Sequence, residues 1–87
     1  MSFFRTHDMA LAAFLVAMGH ALQGVEYNEA GRRGDVVWCF AVVGDLGQLV
    51  DAFSSREARV EPIRFVTAFA RVRKAMFAFK DGDGTHT

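Results

Sequence analysis

The stretch from Asp35 to Val43 limits the fold more than any other part of this 87-residue chain. In an extended strand alternate side chains point to opposite faces, and here both sets are apolar. One set comprises Val36, Trp38, Phe40 and Val42, and the other comprises Val37, Cys39, Ala41 and Val43. Such a strand needs hydrogen-bonded neighbours along both edges and a covering layer on each face. The stretch therefore predicts the central strand of a small sheet.

The residues before this strand predict a strand, a helix and a second strand. Ser2 to Thr6 alternates in part, which is typical of a short edge strand. Met9 to Met18 is apolar on nearly all sides, which indicates a buried helix, and Thr6 and Asp8 are both good N-caps for it. Ala21 to Tyr27 then predicts a second strand, with a bulge near Gly24.

The remaining residues predict a hairpin and two further helices. Asn28 to Gly34 has the glycines of a hairpin loop, so the second and third strands should be antiparallel neighbours. Asp45 is placed to cap a helix from Leu46 to Phe53, and Pro62 suits the first turn of the last and longest helix. Apolar residues of that helix recur at intervals of three and four: Phe65, Val66, Phe69, Val72 and Met76.

The order of elements is therefore β-α-β-β-α-α. A helix that links the first two strands, with the third strand inserted between them, gives the spatial order 1-3-2. We predict an α+β fold with a three-stranded antiparallel sheet (order 1-3-2) and three helices. The first and last helices would cover one face of the sheet, and cover of the other face depends on the second helix or on a partner.

Length and composition bound the organisation of the chain. We predict a single α+β domain over residues 1–80 and a disordered polar tail over residues 81–87. The single cysteine, Cys39, excludes an internal disulfide and a four-cysteine zinc site, and its apolar strand predicts a buried thiol. The longest apolar run is ten residues, whereas about twenty are needed to cross a bilayer. We therefore expect a cytoplasmic protein with no membrane association.

Residue types that carry catalysis are present but scattered. His7-Asp8 and Ser54-Ser55 lie far apart in the sequence, and a helix cap and a polar connection explain the same residues. The three histidines have neither the i, i+4 spacing nor the cysteine partners of a metal site. We therefore predict no catalytic residue, no metal site and no cofactor, and a protein that is not an enzyme.

Basic residues gather in the C-terminal third, although the formal net charge is zero. Arg64, Arg71 and Lys74 share one face of the last helix, and Arg73 and Lys80 lie on its flank. These three residues and the two arginines of the hairpin tip form a predicted phosphate- or partner-binding set: Arg32, Arg33, Arg64, Arg71 and Lys74. The other interpretation is a solvated helix face, since cations near a helix C-terminus are favourable in any protein. The sequence leaves both interpretations open.

Several short patterns resemble a family of small bacterial and phage proteins catalogued only as a domain of unknown function. They are Phe4-Arg5-Thr6-His7-Asp8, an alanine-rich helix (Ala10, Ala12, Ala13) ending in Gly19, a glycine-arginine hairpin tip before an aromatic strand, and Val60-Glu61-Pro62 with Phe65. The resemblance covers residues 3–76. It implies a stand-alone domain, often of phage or mobile-element origin, that acts by binding a host macromolecule. It implies no activity, cofactor or site residue.

Two functional hypotheses follow. An apolar share of 52% with nine phenylalanines indicates a dense core or a surface covered by a partner. The first hypothesis is a small non-enzymatic interaction protein, itself a homo-oligomer, that acts on a protein partner through an apolar surface and the basic helix face. The alternative is binding of nucleic acid or a nucleotide through the hairpin tip and the last helix. The zero net charge removes any overall attraction to nucleic acid.

Overall fold

The computed structural model describes residues 2–28 and 35–84. The elements are β1 (Phe3–Thr6), α1 (Met9–Ala17), β2 (Leu22–Tyr27), β3 (Val36–Ala41), α2 (Leu46–Ser54) and α3 (Pro62–Gly84). The sheet has the order β1-β3-β2, and β3 is antiparallel to both neighbours. The predicted α+β fold and its topology are confirmed. The last helix continues to Gly84, past the predicted domain end at residue 80.

The doubly apolar stretch supplies the central strand, but the strand is shorter than the apolar run. β3 ends at Ala41, which pairs with Phe3 of β1. The Val42 N–H still donates to the Ser2 carbonyl over 3.0 Å, and Gly44, with φ +58°, turns the chain away from the sheet. Because the neighbouring strand ends there, Val42 and Val43 are about half exposed, at 48% and 55%.

The register of β2 changes at its glycine. Leu22 pairs with Phe40, whereas Gly24 pairs with the adjacent Cys39, so one extra residue is inserted in β2. This is the predicted bulge near Gly24, and it is confirmed. Beyond the bulge Val25 lies opposite Trp38, which returns the β2 side chains to the face that the helices cover.

The core lies between the sheet and α1 and α3. From β3 it takes Val36, Trp38 and Phe40, all under 7% exposed, and α1 is buried along most of its length. The indole Nε1–H of Trp38 donates to the carbonyl of Val72 in α3 over 3.1 Å. The sheet is thus joined to the last helix by a buried hydrogen bond as well as by apolar packing.

The ends of α1 have the expected capping geometry. Asp8 Oδ1 accepts from the backbone N–H groups of Ala10 and Leu11 over 2.9 Å and 3.1 Å, as predicted for an N-cap. The helix ends at Ala17, and Gly19 follows with φ +100°, a left-handed conformation that glycine adopts without steric cost.

All three helices lie on the same side of the sheet. α2 packs on α1, where the rings of Phe53 and Phe14 lie 5.8 Å apart between centroids. The second face of the sheet carries Phe3, Arg5, Glu26, Val37, Cys39 and Ala41. Within residues 2–28 and 35–84 the apolar core does not extend to this face, and we call it the open sheet face.

Candidate interaction surface

Helix α3 is apolar on two sides, and only one of them is in the core. The inner side includes Ala68 and Val72, which are buried against α1 and the sheet. On the outer side Ile63, Val66 and Phe77 are 74%, 66% and 47% exposed. A helix that is apolar on opposite sides is normally covered on both, so the outer side is the feature of this molecule that most needs explaining.

A groove of about 690 Å³ runs along this outer side, and we call it the α3 groove. Its lining is mostly aromatic and aliphatic: Phe65, Val66, Phe69, Ala70, Arg73, Lys74 and Phe77. The rings of Phe65 and Phe69 lie 6.0 Å apart between centroids, and the Arg73 guanidinium carbon lies 5.4 Å from the centre of the Phe77 ring. The groove therefore combines an apolar floor with two cations.

The charge around the groove has one sign. Between Pro62 and Lys80 the helix carries Arg64, Arg71, Arg73, Lys74 and Lys80 and no acidic residue. Arg73 and Lys74 are both exposed, and no carboxylate is among the groove's lining residues. An anionic group near the groove would therefore meet a positive local potential.

Arg64, one of the predicted site residues, has a structural role. Its Nη2 donates to the carbonyl of Ala17 over 2.7 Å, which satisfies a carbonyl left without a partner at the end of α1. Its own backbone N–H donates to Glu61 Oε2, also over 2.7 Å. Glu61 thereby caps the start of α3, and the Arg64 side chain ties α3 to α1.

The other predicted site residues are divided between different places. Arg71 lies with Arg64 beside a hollow of about 270 Å³ near the end of α1, whereas Lys74 lines the α3 groove. Arg32 and Arg33 lie outside the described residues. The described part of the predicted set is thus not a single cluster.

Sequence reasoning missed the outer stripe of α3 and the part that Arg73 takes in it. Ile63, Val66, Ala70 and Phe77 share one side of the helix, which is the signal of a second apolar stripe, and Arg73 falls on the same side. The sequence interpretation grouped Val66 with the core residues and put Arg73 on the flank of a basic face. When a helix has two apolar stripes, the spacing alone does not show which stripe faces the sheet and which faces outwards.

Cys39 lies on the open sheet face and is 5% exposed. Arg5 and Glu26 flank it on the neighbouring strands and form an ion pair, with Nε and Oε1 3.2 Å apart. Burial raises the pKa of the Cys39 thiol, and the negative charge of Glu26 raises it further. The thiol is therefore held protonated and shielded, which makes it a poor nucleophile.

The other polar groups singled out from the sequence have structural contacts. Asp45 occupies the N-cap position of α2 as predicted, but its side chain makes no capping hydrogen bond, and its Oδ1 lies 2.8 Å from His20 Nε2. The Ser55 hydroxyl lies 2.9 Å from Glu57 Oε1 and 3.2 Å from the Ala52 carbonyl oxygen, and its single proton serves one of these acceptors at a time. In the described part of the chain no three His, Cys, Asp or Glu side chains are grouped as metal ligands. No described helix is long and apolar enough to span a bilayer.

The chain was compared with family models, curated proteins and solved structures. No family model, no curated protein and no solved structure matches the chain. The resemblance to small bacterial and phage proteins of unknown function therefore stays a prediction.

Proposed function

We propose that this protein is a non-enzymatic interaction protein that binds another protein through the α3 groove. The observation that carries the proposal is the exposure of Val66 and Phe77, which line the groove, and of Ile63, which lies one turn before it on the same side of α3. Burial of an exposed side chain of this size is worth about 1.5–3 kcal/mol, so a partner that covers all three gains several kcal/mol. Scattered apolar residues need no explanation, whereas a continuous apolar groove indicates a contact surface.

The chemistry of the lining supports binding rather than catalysis. The groove holds apolar side chains, one arginine and one lysine. It has no hydroxyl, thiol, imidazole or carboxylate among its lining residues, so it lacks a nucleophile with a neighbouring general base. Phage origin and a host target rest on the resemblance alone, and the cytoplasmic location rests on the sequence alone.

Site-specific photocrosslinking in the native cell tests this proposal. A benzophenone amino acid replaces Phe77 in one variant and Val43 in a control variant, since both positions are about half exposed and lie on different elements. We expect a discrete protein adduct from position 77 that is absent from position 43 and is lost when Val66→Lys is added. Identical adducts from both positions, or none from position 77, would contradict the proposal. Circular dichroism confirms that each variant is folded.

Nucleic-acid or nucleotide binding is the second candidate, and the run of α3 without acidic residues favours it. Arg71 and Lys74 are exposed and available, whereas Arg64 is held by the Ala17 carbonyl. Binding of labelled DNA, RNA and nucleotides is measured at low and moderate salt, because phosphate contacts weaken steeply as salt rises. Salt-sensitive binding that Lys74→Glu removes would favour this candidate over the first.

A further inference from the structure

We propose that the α3 groove binds an amphipathic α-helix whose apolar stripe is flanked by acidic residues. This inference rests on the proposed function and specifies the chemistry of the partner. Three observations carry it: the lining of the groove comes from one helix, the residue at its middle is small and apolar, and its charges are all positive.

The backbone of the groove favours a helical occupant. Its lining comes from α3 alone, and within a helix the backbone N–H and C=O groups bond to each other. An extended peptide therefore has no free strand edge to pair with, which leaves side-chain packing as the means of recognition. From Phe65 to Phe77 the helix rises about 18 Å, a length that about twelve residues of a second helix match.

The side chains of the groove favour close packing of such a helix. Val66, Ala70 and Phe77 are spaced by four and seven residues, so they share one face of α3 and form an apolar stripe. The small Ala70 lies near the middle of that stripe. A small residue at the crossing point lets two helix axes approach to about 8–10 Å, with the larger side chains on either side.

The positive charges of the groove favour an acidic helix over a second copy of α3 or nucleic acid. Arg73 and Lys74 lie beside the apolar stripe of the groove, so acidic residues flanking a partner's stripe would pair with them. A second α3 would instead bring another strongly basic helix, whose residues 62–80 include no acid. Nucleic acid would supply phosphates for Arg73 and Lys74, but Val66 and Ala70 offer no aromatic ring on which a base could stack.

Synthetic helical peptides test this inference on the full chain. Three 16-residue fluorescent probes are used: one with a leucine stripe at i, i+3, i+4 and i+7 flanked by glutamates, one with the same stripe flanked by lysines, and one with the glutamates but serines in the stripe. We expect the glutamate-flanked leucine peptide to bind about tenfold more tightly than the lysine-flanked one by fluorescence anisotropy. The serine peptide should not bind.

Charge reversal provides the matched control. The double variant Arg73→Glu/Lys74→Glu should reverse the preference, so that the lysine-flanked peptide binds more tightly. Arg59→Glu should leave the preference unchanged, because Arg59 is exposed in the segment between α2 and α3 and does not line the groove. Equal binding of the two leucine peptides, or a preference that does not reverse, overturns the acidic-helix inference.

The two proposals can fail separately. A position-77 protein adduct without any peptide preference leaves the proposed function standing and overturns only this inference. If the protein sediments as a dimer and Val66→Lys dissociates that dimer, the occupant of the groove is a second copy of the chain. That result also overturns the acidic-helix inference. Salt-sensitive DNA binding that requires Lys74, with no position-77 adduct, overturns both.

Discussion

Trp38 links the sheet to the last helix by a buried hydrogen bond. It is 2% exposed, and its Nε1–H donates to the Val72 carbonyl. Trp38→Phe removes this buried hydrogen bond and part of the ring volume, so we expect a loss of about 2 kcal/mol or more in the free energy of unfolding. Urea unfolding followed by far-UV circular dichroism measures the change.

The control for Trp38 is Phe3→Leu, which alters a 44% exposed ring on the open sheet face. We expect it to change stability by less than about 0.5 kcal/mol. Similar losses for the two variants would show that the core does not depend on Trp38 in the way the structure indicates.

Cys39 gives the protein a predictable dependence of stability on pH. Burial raises the pKa of the folded thiol above the value of about 8.5 expected in the unfolded chain. The folded state therefore holds its proton where the unfolded state has lost it. This contribution to stability is complete below about pH 8.5 and is lost as the pH rises towards the pKa of the folded thiol.

We therefore expect the free energy of unfolding to fall between about pH 8 and pH 10 more steeply in the wild type than in Cys39→Ala. Denaturant unfolding at pH 7, 8, 9 and 10 under reducing conditions gives the two slopes. The difference between them isolates the thiol, because the two proteins differ only at position 39. Parallel slopes would falsify the link between the raised pKa and stability.

At the scale of elements, two arginines on one face of α3 differ in their contacts with α1. Arg64 and Arg71 are seven residues apart on one face, yet only Arg64 donates to the end of α1. We expect Arg64→Met to cost roughly 1 kcal/mol, because the Ala17 carbonyl and the negative end of the α1 dipole lose a partly exposed cationic donor. Arg71→Met should cost less than about 0.5 kcal/mol. Chemical unfolding compares the pair, and equal costs would argue against the interhelical contact.

The elements themselves could be predicted from the sequence because their signals are local. Alternation over Val36 to Ala41, the capping acid Asp8 and the glycine bulge at Gly24 each depend on neighbours within a few positions. The central place of β3 followed from its two apolar faces. The second stripe of α3 could not be separated from the first, because both have helical spacing and only the docked sheet decides which is buried. The Arg64 contact spans 47 positions, and no local pattern indicates it.

At the scale of the whole molecule, three helices on one side leave the open sheet face without a helical layer. Its composition is partly apolar, through Phe3, Val37 and Ala41, and partly charged, through Arg5 and Glu26. The charges are self-complementary, since a two-fold axis would place Arg5 of one copy near Glu26 of another. A homo-oligomer stays a prediction, and this face is where two copies would meet.

The size of the face sets how strong that contact can be. A strand of six residues rises about 3.3 Å per residue, and three strands lie about 4.8 Å apart, so the face has an area of roughly 300 Å². A stable complex buries about 800 Å² on each partner. We therefore predict weak self-association, with a dissociation constant on the order of 100 μM or weaker. Sedimentation at increasing protein concentration should show a monomer at about 10 μM and a rising average mass at several hundred micromolar.

Charge variants locate the contact. Glu26→Arg should abolish the rise in mass, because it faces Arg5 with a like charge both within and between copies. The double variant Arg5→Glu/Glu26→Arg keeps both attractions and should restore association, while Val66→Lys in the α3 groove should leave it unchanged. A mass that stays monomeric at all concentrations, or a rise that Glu26→Arg leaves intact, would rule out the open sheet face as the meeting surface.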